Sequence, residues 1–164
     1  MTEFKVEGLA ELQKMLDDLP ANIEKNIMRG GLRAGAKVVQ EEAQRVCPVG
    51  SGNLPKGEIS GSLKNSIRIS MKVRKGKVQA FVKAGDKVAF YAHMVEYGTA
   101  SHLIKPRDRK SLFLAGLFKE VIKHPGATKK PFMRPALDNK AQDAIDTMAD
   151  YIRERIPKEI EKLK

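Results

Sequence analysis

The chain has 164 residues, 41% of them hydrophobic and 31% charged, with a formal net charge of +11; this suits a single domain with a real core and excludes disorder along the whole chain. One cysteine, Cys47, leaves no intrachain disulfide to form, and His93, His102 and His124 fall in no zinc-binding pattern. The opening stretch lacks the apolar core of a signal peptide and no segment supplies the roughly 20 apolar residues of a membrane span, so a cytosolic, unanchored protein is expected.

Leu9, Leu12, Leu16 and Leu19 recur at spacings of three and four, which predicts a short amphipathic helix. Pro20 either breaks this helix or opens the next. From Ala21 to Val46, the series Met28, Leu32, Gly35, Val39, Ala43 and Val46 keeps the same rhythm over about seven turns and predicts a long helix. Gly30 and Gly31 weaken its middle by about 1 kcal/mol each relative to alanine. They mark a break between two helices, a kink, or a place where another backbone passes closely. Residues 47–61, with two prolines and four glycines, read as a mobile loop.

Ile67, Ile69, Met71 and Val73 then alternate with Arg68, Ser70, Lys72 and Arg74, placing apolar side chains on one sheet face and cations on the other. Lys75-Gly76-Lys77 supplies a turn, and Val78, Ala80, Val82 and Ala84 continue the period, so 66–84 is a predicted β-hairpin. The stretch 88–97 is too densely apolar for a clean period and reads as a third strand or a helical turn. Leu112–Leu114 and Leu117–Ile122 flank Ala115-Gly116 and suggest a second hairpin. From Pro131 onward, Met133, Leu137, Ala141, Ala144, Met148, Ile152 and Ile156 form a second long helical stripe, which Pro157 should interrupt. The expected class is α+β in one domain spanning 1–164. A mixed or mainly antiparallel sheet of four to five strands is flanked by two long helices and a short N-terminal helix.

The charge is confined to the middle of the chain: residues 57–134 carry 17 Lys/Arg against five acids, and the flanks together are close to neutral. Such a field favours a polyanion or an acidic protein surface, although a solvated basic surface without a partner is the simpler reading. The candidate contacts are Arg68, Lys72, Arg74, Lys75 and Lys77 in the first hairpin, and Lys105, Arg107, Arg109 and Lys110 in the basic stretch 100–123. They suit duplex phosphates touched without base reading. Phe81, Phe90 and Tyr91 are not interleaved with cations along the chain, which disfavours a base-stacking platform.

No catalytic constellation emerges, and no cofactor is expected. His93 and Glu96 lie three apart and would share a helix face as metal ligands, but two ligands without a third make weak evidence. Cys47 precedes Pro48 and has no histidine near it in sequence, so a buried or idle thiol is expected. The glycines around Gly50 and Gly52 lack the G-K-[ST] ending of a phosphate loop.

Three clusters taken in order are similar to the small tail-component, or neck and tail-completion, proteins of long-tailed bacteriophages: GSLKNSI at 61–67, YAHMVEYGT at 91–99 and HPGATKKPFMRPAL at 124–137. The resemblance spans roughly residues 5–155. It implies an architectural, non-enzymatic role in the tail or neck of a virion assembled in the host cytoplasm. It further implies a homo-oligomeric ring, six-fold by analogy with tail tubes, that joins head and tail, lets DNA pass and meets neck and tail-tube neighbours. Its motif positions are Glu96, Tyr97, Gly98 and Thr99, then His124, Pro125, Gly126, Pro131, Phe132, Arg134 and Pro135.

These positions also have physical readings. Gly98 permits a sharp turn after Tyr97, with Thr99 bonding the local backbone, and Pro131 and Pro135 preset φ at a helix start that Phe132 and Met133 staple to the core. Glu96, the only acid between Asp86 and Asp108, is expected in an ion pair, within the subunit or across an interface. The stretch from Pro48 to Gly61-Ser62-Leu63 is longer than the shortest form of the family pattern. The rival readings are a nonspecific duplex nucleic-acid-binding protein and, more remotely, a hydrolase using His93 and Glu96.

Overall fold

A computed structural model describes residues 9–17, 19–50, 60–74, 77–106, 111–114 and 116–162, without the side chains of Leu9, Asn22, Leu112 and Leu114. Lys75 and Gly76 of the first turn, Arg107, Arg109 and Lys110, and most of the loop at 47–61 lie outside the described residues.

Helix α1 (Leu9–Asp17) buries Leu12 and Leu16, and Leu19 follows them into the core. Pro20 opens the next helix: it sits at the N-cap of α2 (Ala21–Val46) with ψ 135°, and its carbonyl accepts the N–H groups of Ile23 and Glu24 at 2.8 and 3.1 Å. Fixed φ and a missing N–H suit proline to a helix entrance. α2 runs unbroken through Gly30 and Gly31, so close approach is the reading that holds. A Cβ on Gly31 would lie 2.9 Å from the Ile152 side chain, and one on Gly35 only 2.5 Å from the Ala144 carbonyl oxygen. The missing side chains bring α2 against α5 (Met133–Glu161), and this pair is the most extensive packing in the molecule.

α5 also runs past Pro157, where the sequence predicts an interruption. Proline deletes one helical hydrogen bond and crowds one carbonyl, both on an exposed face here. Two i,i+4 ion pairs, Arg155–Glu159 and Lys158–Glu154, straddle it, and Ile156 beside it is fully buried.

Two apolar clusters form the core. One joins Leu12, Leu16, Leu19 and Ile27 to Ala149, Ile152 and Ile156 along the helices. The other gathers Ala43, Cys47, Leu63, Ile67, Ala89, Ala92, Phe132 and Ala136 at the far end of α2.

The strands form three two-stranded antiparallel sheets, where a single sheet of four or five strands is the expectation from sequence. β1 (Arg68–Arg74) and β2 (Lys77–Lys83) make the first hairpin, with Arg68 opposite Lys83 and Arg74 opposite Lys77. β4 (Leu112–Leu114) and β5 (Leu117–Lys119) make the second, and β3 (His102–Ile104) pairs with β6 (Ile122–His124). The ladders stay separate because 88–97 resolves as a helix: α4 (Ala92–Tyr97) buries Ala92 and Glu96 on one side and leaves Met94 and Tyr97 exposed. A short helix, α3 (Ser62–Asn65), precedes β1. The class is α+β, with antiparallel strands beside two long packed helices.

Candidate assembly interface

The three motif clusters meet in space. Leu63 and Ile67 from the first, Ala92 from the second and Phe132 and Ala136 from the third all belong to one buried cluster. Ser66 ties the first cluster down: its hydroxyl donates to the Leu63 carbonyl at 2.7 Å and accepts the Gly85 N–H at 2.8 Å.

Glu96 is held by backbone, not by the expected intrasubunit ion pair. Its side chain is buried, and its carboxylate accepts the N–H groups of Phe132, Met133 and Arg134 at 2.7, 2.9 and 3.0 Å. α5 starts there without a side-chain cap of its own. Pro135 has no N–H to satisfy and Ala136 donates back to the Phe132 carbonyl at 3.3 Å, so the orphan donors of this helix end are all accounted for. Burial alone would raise the Glu96 pKa. The three N–H donors, with Arg134 nearby, outweigh that and hold it below the ordinary value.

The same element is clasped from behind. Thr99 and Ala127 exchange backbone hydrogen bonds at 3.0 and 3.2 Å, the Thr99 hydroxyl accepts the Ala127 N–H at 2.9 Å, and Lys130 donates to the Val95 carbonyl at 2.8 Å. Gly98 (φ +73°) and Gly126 (φ +90°) are required here: a Cβ on Gly98 would lie 2.7 Å from the Ala127 carbonyl, and one on Gly126 would collide with that of Thr99. His124 stands at the base of the clasp, accepting the Gly126 N–H at 3.0 Å, with its ring 5.0 Å from that of His102. Pro125 and Pro131 are exposed, and Pro135 is half-buried in the first turn of α5.

His93 is exposed beside the Phe90 carbonyl at 3.2 Å, and both Glu96 oxygens are already engaged, so the two are not brought together as ligands. Among the described residues no group of three potential metal ligands exists. Cys47 is buried, which raises its thiol pKa.

The basic residues divide into two places. In an antiparallel pair, opposite residues share a face. Arg68, Lys72, Arg74, Lys77 and Lys83 therefore lie on one side of the first hairpin, and Ile69, Met71, Val78, Ala80 and Val82 lie half-buried on the other. Lys83 escapes the sequence reading because its place depends on register. So does Phe81, whose ring has the Lys72 and Lys83 ammonium groups 5.8 and 5.7 Å from its centroid. Separated along the chain, these cations flank an aromatic across the sheet. Arg68 spends part of its guanidinium on the Ser66 and Gly85 carbonyls, at 3.1 and 2.6 Å. Lys105 lies away from this face, exposed after β3.

A cleft of about 540 Å³ opens between α2, the edge of β2, the end of α4 and α5, lined mainly by apolar residues that include Val39, Phe81, Tyr97, Leu137 and Met148. Periodicity places Leu137 on a buried stripe, but it is largely exposed in this cleft. No helix of the described residues is long and apolar enough to cross a membrane.

No curated protein and no solved structure matches the chain. Residues 10–98 match the family described as "Bacteriophage HK97-gp10, putative tail-component". The match takes in α1 through α4, and with them the first two motif clusters and all but the last residue of the glutamate-to-threonine turn; the third cluster lies beyond it. Because the match covers more than half of a chain whose motifs build one core, this protein belongs to the HK97-gp10-like family of bacteriophage tail components.

Proposed function

We propose that the chain is a structural, non-enzymatic subunit of the phage neck or tail end, of the tail-completion or terminator type. Identical copies close into a ring that joins head to tail and lets DNA pass. Family membership is the observation that carries this reading. Two features of the fold support it. A contiguous basic face on the first hairpin suits DNA phosphates or an acidic neighbour, and identical heterologous contacts either close into rings or polymerise. Light scattering of the purified protein, alone and with its portal-side and tail-tube partners, tests it: assembly into a discrete oligomer is expected, and a strict monomer under both conditions overturns it.

The same basic face favours a second reading, a duplex-DNA-binding protein that works without phage partners. That reading requires binding to free duplex that weakens steeply with salt and contributes to function when neck and tail proteins are absent.

A further inference from the structure

The exposed apolar side chains of this molecule gather in two patches. One is the second hairpin, where Phe113, Leu117 and Phe118 are 67%, 61% and 75% exposed and the two phenyl rings pack on each other at 5.1 Å. Among the described residues, β4 and β5 make substantial contact only with each other. The other patch is the cleft beside β2, where Tyr97 and Leu137 are 73% and 53% exposed. A knob without a socket and a socket without an occupant thus stand on the same chain.

We infer that the β4–β5 hairpin of one copy inserts into the cleft between α2, β2 and α5 of the next copy. This inference rests on the ring reading above and assigns its seam. Area supports it. A buried aromatic side chain covers roughly 150–250 Å², so two phenyl groups and a leucine bring on the order of 400 Å² from the knob. With the matching cleft surface the seam reaches about 800 Å², half of the roughly 1,600 Å² of a standard interface. That is too little for a robust isolated dimer and suits a ring in which every subunit makes two such contacts.

Charge points the same way. Lys105, Lys119 and Lys123 flank the knob against Glu120 alone among described neighbours, whereas α5, one wall of the cleft, carries seven acids and five Lys/Arg. The arm is drawn to that wall and repelled by the cationic face of the first hairpin. Three consecutive residues of β2, Ala80, Phe81 and Val82, also line the cleft, which places an open strand edge along it. An extended segment arriving there meets backbone partners as well as apolar surface.

The test combines an exposed-surface variant with a crosslink. Phe113→Ser with Phe118→Ser should keep the thermal melt of the parent and weaken self-association by about 30-fold or more, the scale of a lost aromatic anchor. Separately, Phe118→Cys and Leu137→Cys chains are mixed and oxidised. The mixture should give disulfide-linked dimers beyond those of either variant alone, and a chain carrying both cysteines should give a ladder. If the serine variant assembles like the parent, or if the doubly substituted chain closes its disulfide internally, the arm-in-cleft contact is wrong while the ring reading stands. A parent that stays monomeric at every concentration, with no crosslink in the mixture, overturns both.

Discussion

Glu96 shows how much one side chain organises here. Three backbone donors converge on its carboxylate, and removing it leaves buried N–H groups unpaired, the costly half of the hydrogen-bond asymmetry. Glu96→Ala is expected to destabilise the fold by about 2–3 kcal/mol in urea denaturation, and Glu96→Gln by about 1 kcal/mol, because an amide oxygen still accepts. The pH dependence follows from the depressed pKa. The stabilisation from Glu96 is complete above the unfolded value of about 4.3 and is lost as pH falls through the lower folded value, so Glu96→Gln should flatten the stability profile in that acid window and nowhere else. An isolated acid among cations was legible in the chain, but its partners were not. Backbone N–H groups 36 to 38 residues away carry no sequence signature.

At the level of elements, α2 and α5 are joined through glycines whose substitutions should separate cleanly. Alanine at Gly35 would meet the Ala144 backbone carbonyl at 2.5 Å, which cannot move without parting the helices. Gly35→Ala is therefore expected to destabilise by about 1–3 kcal/mol despite its better helix propensity. At Gly30 the obstacle is the outer ring of the partly exposed Tyr151, which can swing away. Gly30→Ala should come out near neutral or stabilising, gaining up to about 1 kcal/mol of propensity. Thermal melts of the two variants check the ordering. Helix and hairpin periods were readable from apolar spacing alone. The choice between a kink and a close contact at Gly30-Gly31 required the position of α5.

For the whole molecule, the decisive surfaces are the basic face of the first hairpin and the apolar knob and cleft. Lys72→Glu with Lys83→Glu leaves the core untouched and reverses two charges beside Phe81. If this face meets phosphate, the pair should weaken duplex DNA binding equally for all sequences and lower the salt slope by roughly 0.9 per lost phosphate contact. Filter binding across a salt series measures both. An unchanged slope places the phosphate contacts elsewhere, for example around Lys105.

Local pattern in the chain was enough for the two long helices, the first hairpin, the basic middle and the motif clusters, since amphipathic period and charge are properties of neighbours a few residues apart. Packing alone could decide that 88–97 coils into α4, that the strands pair in three separate ladders, that Lys83 joins Arg68 on one face, and that Glu96 caps α5. Each of these depends on contacts between segments remote in sequence, where burial and register override local preference.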